Sequence, residues 1–425
     1  SDPLSNSGQV AEKRRWTLGS FDCAADRAFS FPNHQNSEFC ARAAALRDLF
    51  KTEAAKEENR GATSLRAVEA MREAGFYWLL VPEALGGSDR GVSEITALAE
   101  EVASADSSTG WSLAAQSIAT MVAATFCSDA HVGRMFGGAR LPVMSATYAP
   151  TGKAMRSGDS YIGGGRYSFG SGISHADWVS SAFVLQEGGK PMLQENGQPR
   201  VVGAFLPAEK VNILGNWDVV GMEATGSFDY EVPEQTFPLD WTFNQYWTEP
   251  MRQSKAATIG TLVAVCAGHA GVALGVARRS LHEAAHSASL KKRLYATASI
   301  ADTPTFKIDF VRNEALFQAA RARIYDLFAK VDRKADANQP LTEGEIQQIR
   351  QVTTWTHQVC RDVALLAYSS VSSSLRRPSI LARNAMDAAV AGQHFIVNDM
   401  TMIDAAPAII DQWADESAQS VGGLW

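Results

Sequence analysis

Gly215-Asn-Trp-Asp-Val-Val-Gly-Met-Glu-Ala-Thr-Gly-Ser-Phe-Asp-Tyr-Glu-Val232 stands between two long Ala-rich helical regions, and it begins and ends in β-patterned sequence. Thr225-Gly226-Ser227 reads as a turn that glycine makes sterically easy, with the large apolar Trp217 and Met222 just before it. Around it, from about Pro142 to Leu239, the pattern is that of strands. Tyr161-Ile162, Gly163 to Gly165 and Tyr167 to Phe169 read as a hairpin. Asp177 to Leu185 and Val201 to Leu206 run apolar or alternate, with Gly188-Gly189 and Asn196-Gly197 as turns between them. Pro233 and Pro238 close the sheet region. The expectation is an antiparallel β domain over residues 142–240.

Both flanks are helical. In residues 36–141, Ala43, Leu46, Leu49 and Phe50 recur at helix spacing, as do Leu65, Val68 and Met71. In residues 250–425, Leu262, Val263, Cys266, Ala267, Ala270, Leu274 and Ala277 form a small-residue face suited to close packing. Arg312–Arg333, Glu343–Tyr368 and Ser379–Asp399 continue as helical patterns, with breaks at Pro304 and Pro340. Residues 1–35, polar and Gly/Ser/Pro-punctuated, read as a loosely held arm. The fold class is mainly α with a central β domain and a C-terminal four-helix bundle.

Composition narrows the function. The 425 residues are 46% hydrophobic and 20% charged with a net charge of −7, and Lys291-Lys292-Arg293 is too short a basic run for a nucleic-acid track. Five scattered cysteines (Cys23, Cys40, Cys127, Cys266, Cys360) suggest a reducing compartment. No run approaches a membrane span and no signal-peptide core is visible, so a cytoplasmic protein is expected, with neither membrane nor nucleic acid as partner.

Three sites offer chemistry. His282-Glu-Ala-Ala-His286 on a helix would set two imidazoles one turn apart for zinc, with Glu283 as base and Glu314 as a conceivable third ligand. Against this, repeated Ala and paired Arg suit a bundle helix with a solvated face, and the preferred reading has no metal. His394 shares a helical face with Met386, Val390 and Val397, which turns it inward. In Phe169-Gly-Ser-Gly172, small residues let backbone approach a planar ring, and the Ser171 hydroxyl could hydrogen-bond a nitrogen of such a ring.

Several separated motifs, in order over about residues 40 to 400, carry a resemblance. Glu73-Ala-Gly-Phe-Tyr-Trp-Leu-Leu-Val-Pro-Glu-Ala-Leu-Gly-Gly87, Ser145-Ala-Thr-Tyr-Ala-Pro-Thr-Gly152, the run 167–178 and the opening stretch resemble the acyl-CoA dehydrogenase fold superfamily, in its flavin-dependent monooxygenase branch. Ala367 to Ile380, followed by Arg383-Asn-Ala-Met-Asp387 and Gln393-His394, resembles that branch's C-terminal pattern. The resemblance implies the oxygenase component of a two-component enzyme, commonly a homotetramer. Reduced FMN or FAD would come from a separate NAD(P)H-dependent reductase, and a C4a-hydroperoxyflavin would pass oxygen to an aromatic or other electron-rich small molecule. It places His394 and Ser171 at the N5/C4a edge, with Phe169 in the same turn. Ser145, Tyr148 and Thr151 surround a second flavin-facing loop. Arg293, followed by Tyr295, resembles the arginine that meets flavin phosphate across a subunit boundary, and Ser372 to Ser374 with Arg376 take the place of a Gly-rich phosphate turn, Ser373 at its centre. Trp111, Gln116 and Thr120 fall on the substrate helix, where phenol-hydroxylating relatives carry histidines at the places of Ala119 and Thr120. Alternatives are an acyl-CoA dehydrogenase, whose usual Glu is missing from Gln393-His-Phe-Ile-Val-Asn-Asp399, and a zinc hydrolase on His282 and His286.

Overall fold

The computed structural model describes residues 37–415; the arm expected over 1–35 and Cys23 lie outside the described residues. Six helices come first: α1 (Glu38–Ala45), α2 (Arg47–Ala54), α3 (Leu65–Glu73), α4 (Val92–Ala105), α5 (Ser107–Phe126) and α6 (Asp129–Phe136). Their starts follow from side-chain caps. Ser37, Ser64, Asp106 and Ser128 each accept a backbone N–H three residues on, which satisfies a donor the helix cannot. Between α3 and α4, Trp78 Nε1–H donates to the Pro142 carbonyl at 2.7 Å, and Arg72 pairs with Asp177 at 2.7 Å, which fixes the helices on the sheet.

Nine strands follow: β1 (Met144–Ala146), β2 (Gly152–Ser157), β3 (Ser160–Gly170), β4 (Trp178–Glu187), β5 (Lys190–Pro191), β6 (Val201–Pro207), β7 (Asn212–Ile213), β8 (Phe228–Pro238) and β9 (Thr242–Asn244). They pair in the order β7-β8-β3-β2-β4-β6-β9, with β1 and β5 also on β4. The sheet is mixed rather than wholly antiparallel, because β1 and β2 both run parallel to β4. The hairpin expected within residues 161–169 is one continuous strand. Its glycines serve close approach, not a turn: a Cβ on Gly163 would sit 2.7 Å from the Lys153 carbonyl oxygen, and one on Gly165 2.5 Å from Gly152 Cα. The chain reverses instead at Gly158 (φ +59°), between β2 and β3. Pro233 lies inside β8 at a register shift opposite Gly163–Gly165, where no ladder N–H is required. The sheet also runs past residue 240, through β9.

The C-terminal part consists of α7 (Lys255–Ile259), α8 (Thr261–Leu290), α9 (Pro304–Asp336), α10 (Glu343–Ser370), α11 (Ile380–Ala391) and α12 (Met400–Ala414). The break expected at Pro304 falls between α8 and α9, with Pro304 as the first residue of α9; Pro suits a first turn, where its missing N–H has no partner to lose. Thr342 and Glu345 form a reciprocal capping box on α10. Contrary to the composition-based expectation, α8 is long and apolar enough to cross a membrane (mean hydropathy 1.5), but 83% of that window is buried inside the fold. Its small residues explain the burial. A Cβ on Gly271 would lie 2.4 Å from the Thr96 carbonyl oxygen, and one on Gly275 2.5 Å from that of Glu100, so α8 and α4 meet backbone to backbone. The helix expected over Ser379–Asp399 is shorter, because Gly392 ends α11 and a run of turns fills the rest of that range before α12 begins at Met400.

Candidate active site

The α5 helix, the turn after β3, the turn before β8 and the end of α11 converge on one cluster. Trp111 on α5 donates its indole N–H to Ser171 Oγ at 3.1 Å. Ser171 Oγ lies 2.7 Å from Ser227 Oγ, which lies 2.8 Å from Thr225 Oγ1, which in turn donates to the Met222 carbonyl at 2.8 Å. A carbonyl only accepts, so the Thr225 proton is committed to it. Ser227 must therefore donate to Thr225, and Ser171 to Ser227. The chain runs one way, from Trp111 to Met222, and leaves Ser171 with a single free lone pair and no free donor.

Two backbone positions around this chain are held in the left-handed region without glycine: Phe169 (φ 66°) and Met222 (φ 53°). Such residues cost of order 1 kcal/mol and persist only where their surroundings impose them. At Met222 the agent is Asp387 on α11. Its carboxylate accepts the Met222 N–H at 2.5 Å and the Ser107 hydroxyl, with Arg383 at 3.8 Å and Arg383 in turn 2.6 Å from Asp106. Burial pushes the Asp387 carboxyl up to about 6 despite these partners. With both oxygens engaged, Asp387 braces the turn and is not available as a base for a substrate proton.

His394 is inward-facing, but not by the helical face expected for it. The α11 helix ends at Ala391, Met386 is partly exposed, and a turn carries His394 to Trp111, with ring centroids 5.8 Å apart. The Ile396 N–H donates to His394 Nδ1 at 3.3 Å. The ring proton of the neutral imidazole is thereby placed on Nε2, a donor with no hydrogen-bond partner among the described residues. Burial lowers its pKa to about 4, so it stays neutral. Two further histidines complete the cluster. His269 on α8 stands 4.4 Å from His394 and edge-on to Trp111 at 4.8 Å, while His357 on α10 is 5.5 Å from His269 and bonds its backbone carbonyl through Nε2 at 3.1 Å. Burial above all also holds His357 at about 4 and His269 well below the usual range, helped for His269 by its two imidazole neighbours.

The other sequence candidates divide. Ser145 joins the cluster, its hydroxyl donating to the Ser171 carbonyl at 2.9 Å, and Phe169 forms the exposed tip of the turn, its ring 6.2 Å from that of Trp217. Gln116 and Thr120 brace rather than line a pocket. Gln116 donates to the Gly172 carbonyl at 3.1 Å, and Thr120 bridges the Gln116 carbonyl and the Met144 N–H, both side chains being buried. Tyr148 packs against Trp247 (5.0 Å), and Thr151 donates to the Arg166 carbonyl at 2.7 Å. Arg293, Ser373 and Arg376 are exposed. Their two segments meet where the Lys291 ammonium contacts the Ser373 hydroxyl. Among the described residues no hydrogen bond or ion pair joins them to Ser171. His282 and His286 are exposed, Glu283 is taken by Arg279 at 2.7 Å, and Glu314 accepts from Gln318 at 2.7 Å. Among the described residues no group of three or more His, Cys, Asp or Glu side chains could hold a metal ion. The sequence reading missed His269, His357, Ser227, Thr225 and Asp387. The one available signal was His269 itself, a polar residue in the apolar run Gly268-His-Ala-Gly271.

Residues 38–136 match the family model for the N-terminal domain of acyl-CoA dehydrogenase, and 267–399 that for its C-terminal domain. An indole-3-acetate monooxygenase of Acinetobacter baumannii is 26% identical over 371 residues, covering 82% of this chain and 87% of its own. Among solved structures, XiaF from Streptomyces sp. in complex with FADH2 and glycerol superposes with a TM-score of 0.80 at 19% identity, covering 88% of this chain and 95% of its own. TdsC from Paenibacillus sp. A11-2 with FMN and indole gives 0.70 at 20%, covering 91% and 98%. The chain belongs to the acyl-CoA dehydrogenase family, in the branch of flavin-dependent monooxygenase oxygenase components.

Proposed function

We propose that Ser171, Trp111 and His394 hold the reacting edge of a reduced flavin, FMN or FAD, and that the enzyme hydroxylates an electron-rich aromatic small molecule. When bound, the reduced flavin supplies the electrons that activate O₂. The observation that carries the reading is the direction of the hydrogen-bond chain. Ser171 can accept an N–H but has none to give, and reduced flavin carries a proton on N5 where the oxidised form has a bare acceptor. His394 offers the complementary group, a neutral Nε2–H suited to hold an oxygen atom. Phe169, exposed at the tip of the turn, and Trp217 beside it offer apolar rings that a bound flavin could lie against. The carboxylate beside the cluster, Asp387, is engaged through both oxygens, which weighs against its removing a thioester α-proton.

The names of relatives support an aromatic substrate, and the description of one as an FADH2-dependent oxygenase component supports a separate reductase, NAD(P)H-dependent in this proposal, as the source of reduced flavin. A homotetramer in the cytoplasm, with Arg293 reaching a neighbouring subunit's flavin phosphate, completes the proposal; the exposure of Arg293, Ser373 and Arg376 supports it. The test is anaerobic titration with both redox forms of FMN and FAD. Reduced flavin should bind at least tenfold more tightly than oxidised, and Ser171→Ala should erase most of that difference. Equal affinities in the wild type, or bleaching of bound oxidised flavin by an acyl-CoA thioester, would overturn the reading.

A further inference from the structure

Three imidazoles meet at the cluster, and two are committed to the protein. His394 receives the Ile396 N–H on Nδ1, and His357 bonds the His269 carbonyl through Nε2. The ring of His269 makes no hydrogen bond among the described residues. Its Nδ1 is buried without a partner, and the residue is only 8% exposed. A buried polar atom left unmade is costly, so a group from outside the chain is expected to meet it. The surroundings define that group. Trp111 presents its ring at 4.8 Å and His394 at 4.4 Å, so the neighbours are flat, aromatic and uncharged. No carboxylate takes part in these contacts, and a neutral imidazole necessarily carries one unprotonated, accepting nitrogen.

We propose that His269 is a specificity-determining residue, whose free ring nitrogen accepts a ring N–H, or an equivalent polar hydrogen, of an electron-rich aromatic substrate lying against Trp111 and His394. The assignment rests on the oxygenase reading above and names the substrate feature it selects. An aromatic with the same outline and no polar hydrogen would leave the imidazole unsatisfied, which is the stronger form of discrimination available to a site. Burial keeps His269 neutral over the physiological range, so its accepting nitrogen persists there.

The experiment compares indole, 1-methylindole and benzothiophene by isothermal titration against the whole protein. Indole should bind about 3- to 10-fold more tightly than the other two, the worth of one neutral hydrogen bond. His269→Phe should abolish the difference, and His269→Asn, which keeps an acceptor, should restore part of it. Nitrogen-15 spectra of the histidines give an answer independent of any variant's folding: one His269 ring nitrogen should shift with indole and not with 1-methylindole. Equal affinities, no binding of any of the three, or a difference that survives in His269→Phe overturns the proposal. The oxygenase reading fails on a separate result, the absence of oxygenated product from every aromatic tried with reduced flavin and O₂.

Discussion

The Trp111 indole N–H donates to Ser171 Oγ at 3.1 Å across 60 residues of sequence, joining the helical N-terminal part to the turn after β3. That bond occupies one of the two lone pairs of the hydroxyl and fixes its rotation together with Ser227. Trp111→Phe keeps the ring and removes only the donor. Thermal stability should change by less than about 1.5 kcal/mol, while product formed per flavin oxidised should fall about 2- to 10-fold and hydrogen peroxide rise to match. Product and peroxide assays on one sample check it.

Asp387 holds the Met222 turn through a backbone N–H and the Ser107 hydroxyl, beside Arg383. Asp387→Ala leaves a buried N–H without an acceptor and a left-handed Met222 without its restraint. The expected loss is about 2–4 kcal/mol of stability, measured by urea unfolding. A loss below 1 kcal/mol would mean that the turn is held by something else.

Acid should destabilise the fold in a defined window. His131 and His357 are held at about 4 by burial, against an ordinary value near 6.5. Between those values the unfolded chain binds protons that the native fold refuses, so stability is lost as pH falls from about 6.5 to 4. Each contributes at most about 3 kcal/mol. Asp387, raised to about 6, acts with the opposite sign over roughly pH 6 to 4, and the two histidines outweigh it. Unfolding midpoints measured from pH 7 to 4.5 should fall, and His357→Gln should flatten the slope.

Gly271→Ala tests the contact of α8 with α4. Its methyl would lie 2.4 Å from a backbone oxygen, so the helices must separate, at a cost of about 1–3 kcal/mol. Because His269 lies two residues away on the same helix, substrate binding should weaken along with stability. Calorimetric binding and melting of the same preparation decide whether the two move together.

The double variant His282→Ala, His286→Ala should keep activity within twofold. Both rings are exposed, and Glu283 is turned to Arg279. Loss of activity with loss of a bound metal would reinstate the zinc alternative.

The helix–sheet–helix order was legible because period 3.6 gives way to period 2 near Pro142 and returns after the sheet. The tight turn that carries Ser171 was legible because small residues flank its hydroxyl. The Gly163–Gly165 misreading has a physical cause: glycine marks both turns and close strand contacts, and sequence alone does not separate them. His394 was read as inward for the wrong reason, since Gly392 ends the helix that was meant to aim it. Asp387, His269 and His357 escaped because their roles depend on partners 88 to 280 residues away, and periodicity reports only which way a side chain faces.

The one-way run of hydroxyls gives Ser171 a polarity that it does not possess by itself. Its sense is set at the far end, by the carbonyl of Met222, a residue whose own N–H, on the preceding peptide, is held by a carboxylate on another helix. Reversing the run would require three hydroxyl rotors to turn together and a carbonyl to become a donor, which it cannot do. On the proposed reading, a preference for one oxidation state of the flavin would be encoded in the direction of a single carbonyl, and a change at Met222 or Asp387 would alter it without touching any group proposed to meet the flavin.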